Sequence, residues 1–317
     1  MSAGIQAAWY GFVFLVFPGF LFTAVAGLLA SWVDRFVTAR VQWRVGPPPA
    51  QPLYDVIKLL GKEIIVPESG NRAVFFAAPL AAFAAALAIS PILWIPLLGG
   101  ESFIGDLIVV AYLLLIPPVC LILGGFASGN PLAALGASRE MKLILAYELP
   151  FLASLATAIA RNGFSILISD LVRRPPVIGS LSGALAFVGA LLCVQAKLGY
   201  TPFDVAEAET EIIAGPLVEY SGALLALWKL AQSMMLFILP VFVVAVFFGG
   251  INLGGWGLLW VVPEYVLVLA LIVVIKNTNP RVRIDQAVKF FWRGLFPLMA
   301  AAFVLAVIGR TYGIPWL

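Results

Sequence analysis

Long apolar runs separated by short polar segments fill the chain from one end to the other. Eight of these runs come close to the roughly 20 residues with which an α-helix crosses the hydrocarbon core of a bilayer. The predicted spans are residues 9–33, 73–98, 105–126, 141–160, 178–197, 221–248, 256–275 and 295–309. The pattern predicts an all-α polytopic membrane protein with eight transmembrane helices, forming a single integral membrane domain over residues 1–317.

The composition agrees with this pattern and excludes a soluble protein. Hydrophobic residues make up 62% of the chain and charged residues only 11%, and the mean hydropathy is +1.06. We expect the first apolar run to be a retained span, because no basic segment precedes it and it is too long for a signal peptide. Charges are so scarce in this chain that each cluster of them needs an explanation.

The basic residues are divided unequally between the two sides that the spans imply. The loops containing residues 34–72, 127–142, 197–220 and 276–294 hold 14 of the 19 lysines and arginines, so the positive-inside rule makes these loops cytoplasmic. An even number of spans then leaves both termini on the outer side of the cell membrane. The same loops hold 11 of the 16 acidic residues, so the polar chemistry of the chain faces the cytoplasm.

Residues 34–72, here called the first polar loop, contain two amphipathic segments. Arg35, Arg40 and Arg44 alternate with apolar residues, which predicts a basic helix lying on the membrane surface. After the prolines at 47–49, apolar residues recur at helical spacing between Leu53 and Leu60 and predict a second surface helix.

Residues 197–220, here called the acidic loop, contain a dense group of carboxylates. They are Asp204, Glu207, Glu209, Glu211 and Glu219. In a helix that starts after Pro202, the first, second and fourth of them share one face, and the third points away. The first two also have the spacing of a capping box, but capping leaves the other three unexplained. Carboxylates crowded beside a bilayer are typical of groups that exchange protons near neutral pH.

Three further ionisable residues fall inside predicted spans, namely Glu148, Lys229 and Glu264. An isolated charge in the hydrocarbon costs at least about 2.5 kcal/mol on insertion scales, so each of them needs a partner or a wet cavity. One interpretation is a structural Lys–Glu pair between helices. The other is a buried relay for protons or sodium, which Pro150 and Pro263 favour because each lies beside one of the acids and frees a backbone carbonyl.

A basic stretch in the last cytoplasmic loop contains Arg281, Arg283 and Asp285. Positive-inside anchoring accounts for most of this stretch. Docking of an acidic partner, or a salt bridge to the acidic loop, is the alternative, and the sequence does not choose between them.

The chain has no histidine and only two cysteines, Cys120 and Cys193, which lie far apart within apolar runs. These residues offer neither a disulfide framework nor the usual ligands of a metal or a haem. We therefore expect any redox centre to belong to a different polypeptide.

Four segments of the chain resemble one known family and occur in the expected order between the expected helices. They are residues 44–63, 138–150, 201–222 and 279–285. The family comprises the membrane protein that joins the membrane arm to the peripheral arm in complex I, and its counterpart in membrane-bound group 4 [NiFe] hydrogenases. A single one of these segments would be a weak match, whereas four in order make the resemblance specific.

The resemblance implies a subunit without its own cofactor, whose cytoplasmic loops dock a hydrogenase-large-subunit-like partner and an iron–sulfur small subunit. The [NiFe] centre and the iron–sulfur clusters belong to those partners, and antiporter-like subunits are the expected neighbours in the bilayer. The implied ion-coupling acids are Asp204, Glu207, Glu209, Glu211, Glu219, Glu140 and Glu148. The implied docking and loop residues are Arg44, Gln51, Asp55, Lys58, Lys62, Glu63, Arg139, Arg281, Arg283 and Asp285. Lys229 and Glu264 are candidates from membrane depth alone.

One departure from the family indicates a branch. Quinone-reducing members usually carry a longer basic segment after the first Gly-Pro, whereas residues 46–52 pass from Gly-Pro to Gln-Pro directly. The short form resembles the hydrogenase branch and implies ferredoxin-driven hydrogen evolution coupled to proton or sodium translocation. Quinone reduction by a complex I, and reduction of sulfur or sulfane by a relative of the same plan, are the alternatives.

Two functions of a different class are also compatible with buried charges. A stand-alone secondary transporter would more often show matched broken helices in two related halves, and the sequence shows none. A passive membrane anchor would tolerate neutralisation of the acids. A coupling subunit would instead keep electron transfer and lose ion translocation.

Overall fold

The computed structural model describes residues 3–99, 102–249, 257–314 and 316–317. Most of these residues are helical, and none of them lies in a β-strand. The helices are α1 (Ala3–Leu15), α2 (Phe20–Val41), α3 (Gln51–Leu60), α4 (Arg72–Leu97), α5 (Asp106–Leu113), α6 (Ile116–Ala127), α7 (Pro131–Arg161), α8 (Ile168–Arg173), α9 (Leu181–Lys197), α10 (Glu209–Ile212), α11 (Gly222–Phe247), α12 (Gly257–Thr278), α13 (Ile284–Lys289) and α14 (Phe296–Thr311). A π-helical turn, Phe290–Leu295, joins α13 to α14.

Seven helical segments of the described chain are long and apolar enough to cross a membrane. They are Trp9–Val41, Arg72–Leu97, Asp106–Ala127, Pro131–Arg161, Gly222–Phe247, Trp260–Thr278 and Ile284–Thr311. The segment predicted at 178–197 forms α9, an apolar helix of 17 residues, at the short end of the usual transmembrane range. The prediction of an all-α polytopic membrane protein is confirmed.

The first polar loop differs in part from its prediction. After a break around Pro18, α2 continues without interruption to Val41. The basic surface helix predicted around Arg35 and Arg40 is therefore the end of α2, because the second half of α2 contains neither proline nor glycine to stop it. The prolines at 47–49 separate it from α3, which is the second predicted surface helix.

The chain forms two compact units. The first comprises the described residues of Met1–Trp94, Val110–Glu140 and Ala206–Ile238. In its core the ring of Tyr220 stacks on Phe75, with centroids 4.1 Å apart. Gly27 in α2 lies so close to the backbone of Ser233 in α11 that an added Cβ would overlap it. Small residues at such crossings let membrane helices approach closely.

The second unit comprises the described residues of Ile95–Val109, Met141–Val205 and Leu239–Leu317. α9 packs against α14 there, and an added Cβ on Gly189 would overlap the side chain of Met299. The N-terminus of α9 is capped by Ser180, whose Oγ accepts a hydrogen bond from the Gly183 N–H at 3.1 Å. The cap and the packing fix the position of α9, and with it the position of its last residue, Lys197.

Candidate functional site

The acidic loop begins in the second unit, where residues 200–205 lie against the basic stretch that follows α12. Arg281 Nη2 donates a hydrogen bond to Asp204 Oδ2 at 2.6 Å, within an ion pair whose side chains are 31% and 21% exposed. Thr201 Oγ1 donates to the Lys276 carbonyl oxygen at 3.0 Å. Of the two alternatives left open for the basic stretch, the structure contains the salt bridge to the acidic loop.

The middle of the acidic loop belongs to the first unit, where Glu207 and Glu211 each have a partner. Gln232 Nε2 donates to Glu207 Oε1 at 3.0 Å. Arg139 forms an ion pair with Glu211, whose side chain remains 52% exposed. Glu207 is therefore held from α11, and Glu211 from α7.

Glu219 and Tyr220 end the acidic loop and anchor it to the first unit. Asn130 Nδ2 donates a hydrogen bond to Glu219 Oε1. The hydroxyl of the buried Tyr220 donates to the Phe75 carbonyl oxygen at 3.1 Å. Burial raises the pKa of Tyr220 further above its ordinary value, so this hydroxyl stays a neutral donor at physiological pH.

The helix predicted to start after Pro202 does not form. Residues 201–208 are turns and irregular backbone, and α10 begins only at Glu209 and covers about one turn. The predicted capping box of Asp204 and Glu207 is therefore wrong, because no helix begins at these residues. Their side chains accept hydrogen bonds from Arg281 and Gln232, respectively. The side chain of Glu209 lies outside the described part of the structure.

Glu148 in α7 and Lys197 at the end of α9 form an enclosed ion pair. Lys197 Nζ donates to Glu148 Oε2 at 2.6 Å, and the two side chains are 0% and 18% exposed, respectively. Nζ also lies 5.0 Å from the ring centroid of Tyr147 and 4.6 Å from that of Phe151. The ammonium group thus sits among one carboxylate and two aromatic rings, which stabilise a cation through the negative potential of their faces.

The sequence reasoning misses Lys197, because a lysine that ends an apolar run is typical of a residue anchoring a helix at the membrane surface. The residues that share a helix face with Lys197 nevertheless indicate that it is buried. Ala190 and Cys193 precede Lys197 at helical spacing, and both are fully buried. A lysine on the small, apolar face of a helix points toward other helices and not toward water.

The other two candidates at membrane depth form no ion pair with any described residue. Lys229 is exposed, and its Nζ donates to Gln232 Oε1 at 3.4 Å. Glu264 is half-buried. A structural Lys–Glu pair therefore exists, but it joins Glu148 to Lys197 and includes neither Lys229 nor Glu264.

The first polar loop is held to α2 by Asp55. Arg35 Nη1 donates to Asp55 Oδ2 at 2.6 Å, and Gln51 Nε2 donates to Oδ1 at 3.0 Å. Partial burial acts to raise the pKa of Asp55, but the hydrogen bonds from Arg35 and Gln51 and the charges of Arg35 and Lys58 outweigh it and hold the pKa below its ordinary value. α3 is thereby fastened to the end of α2.

A second contact joins the first polar loop to the segment that follows the acidic loop. Ser221 Oγ accepts a hydrogen bond from the Ile65 N–H at 2.8 Å and donates to the Glu63 carbonyl oxygen at 3.4 Å. Gly222 has a φ of +59° and lies against the carbonyl oxygens of Lys62 and Glu63, where an added Cβ would overlap them. Only glycine combines this backbone angle with so close an approach.

The first polar loop exposes apolar and basic side chains together. The exposed apolar residues include Trp43, Val45, Leu53, Ile57 and Leu60, and the exposed basic residues include Arg44, Lys58 and Lys62. Contiguous apolar surface with a polar border is typical of an interaction site. Of the remaining candidates, Glu140 is buried, whereas Arg283 and Asp285 are exposed at the start of α13.

Comparison with known proteins gives a consistent family. The NADH dehydrogenase family matches residues 13–307. The H subunit of NADH-quinone oxidoreductase from Thermomicrobium roseum is 35% identical, over 96% of this chain and 98% of the relative. The protein of the same name from Dehalococcoides mccartyi is 33% identical, over 90% of this chain and 83% of the relative.

A solved structure agrees with the sequence relatives. It is that of the membrane-bound sulfane sulfur reductase (MBS), an archaeal respiratory membrane complex, one chain of which is 28% identical to this one. The two superpose with a TM-score of 0.81, over 90% of this chain and 96% of that chain. This chain therefore belongs to the NADH dehydrogenase family and is a multi-pass membrane subunit of a complex I-like, multisubunit oxidoreductase.

Proposed function

We propose that this subunit docks the peripheral electron-transfer arm of its complex at the cytoplasmic face of the cell membrane and couples the redox reaction to translocation of protons or sodium ions. In this proposal both termini lie on the outer side. The chain supplies the docking surface and the coupling residues, and its partners supply the redox centres. The observation that carries the proposal is the enclosed pair of Glu148 and Lys197.

An enclosed ion pair adds little net stability to a protein, so a passive membrane anchor gains little from one. Removing each charge from water costs several kcal/mol, and well-packed apolar residues in place of such a pair are often neutral or stabilising. A change in the charge on Glu148 during the reaction would explain why the chain contains this pair. When a proton reaches Glu148, the ammonium of Lys197 loses this counter-charge and keeps its contacts with the rings of Tyr147 and Phe151.

The acidic loop is suited to respond to a redox change in a neighbouring subunit. Four of its carboxylates accept hydrogen bonds from side chains elsewhere in the sequence. The donors are Arg281 for Asp204, Gln232 for Glu207, Arg139 for Glu211 and Asn130 for Glu219. Protonation of one carboxylate weakens its contact and releases a donor. Such contacts are weak enough at a partly exposed site to be broken and remade in each cycle.

The first polar loop is the proposed docking surface for the peripheral arm. Its exposed apolar residues lie beside exposed basic ones, and Ser221 ties it to the end of the acidic loop. A partner bound on this surface is therefore positioned to act on the acidic loop. The proposed partners are a hydrogenase-large-subunit-like protein with the [NiFe] centre, an iron–sulfur small subunit, and antiporter-like subunits within the membrane.

For the electron acceptor we propose protons, with reduced ferredoxin as the electron donor. The short passage over residues 46–52, which resembles the hydrogenase branch, supports this choice. Two observations favour other acceptors. The relatives from Thermomicrobium and Dehalococcoides are NADH-quinone oxidoreductase subunits, which favours quinone. The solved structure belongs to a sulfane sulfur reductase, which favours a sulfur compound.

Copurification in mild detergent, followed by assays of hydrogen evolution, quinone reduction and polysulfide reduction, tests the proposed acceptor. We expect hydrogen evolution from reduced ferredoxin. Activity with quinone or polysulfide alone would replace the proposed acceptor and leave the coupling role intact.

The coupling role is tested separately in proteoliposomes, with the intact complex carrying Glu148→Gln. We expect electron transfer to continue while ion translocation is lost. Unchanged ion translocation in this variant would make the subunit a passive anchor.

A further inference from the structure

Three arginines gather in the second unit where apolar helices begin and end. Arg310, in the last turn of α14, donates a hydrogen bond from Nη1 to the Ala160 carbonyl oxygen at 3.1 Å. Nη1 of Arg174 lies against Gly163, where an added Cβ would overlap it. Arg161, the last residue of α7, has its guanidinium beside the last turn of α14. All three guanidinium groups thus lie around the end of α7.

Two of these guanidinium groups are not neutralised by acids. Neither Arg174 nor Arg310 forms an ion pair with a residue in the described part of the chain, and the same holds for the neighbouring Arg173. The acid nearest to them in the sequence is Asp170, and its Oδ2 accepts a hydrogen bond from Ser165 Oγ at 2.6 Å. Arg174 and Arg310 therefore carry positive charge that no described acid pairs with.

Exposed aromatic side chains accompany the arginines. Phe164, Tyr312 and Trp316 are 57%, 78% and 64% exposed. The guanidinium carbon of Arg310 lies 4.8 Å from the ring centroid of Phe164. Aromatic residues at the ends of apolar helices are typical of the membrane–water interface, where lipid headgroups lie.

Helix capping accounts for only part of this arrangement. The helix dipole favours a cation in a last turn, and both Arg161 and Arg310 lie in one. Capping of Ala160, however, uses one of the five N–H donors that a guanidinium carries. Arg174 follows α8 in extended backbone and caps no last turn of a long helix. These arginines also lie on the side that the positive-inside rule predicts to be poor in basic residues.

We propose that Arg174 and Arg310 bind the phosphate of an anionic phospholipid headgroup at the end of α9 opposite to the acidic loop. Guanidinium groups bind phosphate oxygens through two parallel hydrogen bonds, which suits a site with several unused donors. The ligand is a lipid and not free phosphate, because the flanking aromatic residues and apolar helices provide the surface that acyl chains require.

Titration of phosphatidylglycerol into the detergent-solubilised complex, followed by native mass spectrometry, tests this site. Arg174→Gln and Arg310→Gln should each weaken binding of one phosphatidylglycerol molecule by about tenfold, the loss expected for a charge-assisted hydrogen bond. Arg310→Lys should restore part of the affinity, because lysine keeps the charge but not the planar fork. Phosphatidylcholine should not bind at this position.

Arg173→Gln is the matched control, because Arg173 is exposed, lies next to Arg174 and makes no ion pair with a described residue. It should change the affinity for phosphatidylglycerol less than twofold.

Equal losses of affinity in all three variants would indicate a diffuse positive potential, and no loss in any variant would indicate that there is no site. Either result overturns the proposal. Displacement of the lipid by an equal concentration of inorganic phosphate would also overturn it. If Arg310→Gln fails to assemble because Ala160 loses its cap, Arg174→Gln decides the question.

Discussion

The ion pair of Glu148 with Lys197 and that of Arg139 with Glu211 bring the same kinds of group together in two different settings. In the first pair the lysine side chain is 0% exposed and the glutamate 18%. In the second the arginine is 21% exposed and the glutamate 52%. Both pairs are in hydrogen-bond contact, so the difference between them lies in the surroundings and not in the contact.

The surroundings determine how much each pair contributes to the stability of the protein. Water around Glu211 can replace Arg139 with little loss of stability, because exposed ion pairs contribute about 0 to 1 kcal/mol to the free energy of unfolding. The side chain of Lys197 is 0% exposed, so water has little access to its ammonium, and breaking that pair leaves an uncompensated charge. The comparison indicates that the pair between α7 and α9 depends on both of its charges, while the acidic loop holds contacts that water can replace.

The largest effect is expected from Lys197→Met, which leaves the Glu148 carboxylate without its counter-charge. The free energy of unfolding should fall by about 3 to 5 kcal/mol, the range for breaking a buried pair. Thermal or denaturant-induced unfolding of the detergent-solubilised complex measures this loss of stability. Lys229→Met is the matched control, because Lys229 is exposed. The double variant Lys197→Met with Glu148→Leu should recover most of the loss, and equal stability of the two single lysine variants would contradict the enclosed pair.

Glu148→Gln should lower the free energy of unfolding by about 1 to 3 kcal/mol, which is less than the loss in Lys197→Met. The amide oxygen still accepts a hydrogen bond from Lys197, and the aromatic rings remain. In proteoliposomes its ion translocation should fall about tenfold or more at unchanged electron transfer, since the residue can no longer take up a proton. Glu264→Gln provides the comparison within another span. Equal loss of both activities in Glu148→Gln would mean structural damage instead of uncoupling.

An intermediate effect is expected from Arg281→Gln, because its pair with Asp204 is neither enclosed nor fully exposed. The free energy of unfolding should fall by about 1 kcal/mol. A double-mutant cycle with Asp204→Asn isolates the coupling between the two side chains. A coupling energy as large as that of Glu148 with Lys197 would remove the distinction between the loop and the helix interior.

Glu211→Gln should change stability by about 0.5 kcal/mol or less, because its side chain is 52% exposed. The small coupling to Arg139 should decline further as salt is added, since exposed charges are screened. Measuring the Arg139/Glu211 cycle at low and high salt checks both statements. A coupling energy insensitive to salt would show that the pair is shielded from solvent.

The smallest effect concerns pH and Asp55, whose folded-state pKa lies below its ordinary value. A depressed pKa means that Asp55 stabilises the folded protein above its unfolded-state pKa of about 4, and that this contribution is lost as the pH falls through the folded-state value. Asp55→Asn should therefore lower the unfolding temperature slightly at neutral pH and have less effect in acid. An effect that grows in acid would contradict the sign of the shift.

The prediction of the acidic loop shows where local reasoning stops. Proline and two acids at capping spacing predict a helix start, yet residues 201–208 form turns because Asp204 and Glu207 bond to residues far from them in the sequence. The first polar loop shows the reverse case. α3 follows from local signals alone, since prolines precede it and its apolar residues recur at helical spacing.

Hydrophobic runs were sufficient to predict an all-α membrane protein, because the transfer of each apolar segment into lipid depends on that segment alone. The four motif segments were sufficient for the family. The pairing of charges depends instead on helices that pack together, and the partners Glu148 and Lys197 are 49 residues apart, Arg139 and Glu211 are 72, and Asp204 and Arg281 are 77. No local pattern contains such contacts, so Lys197 could be recognised as half of a buried pair only once α7 and α9 were in place.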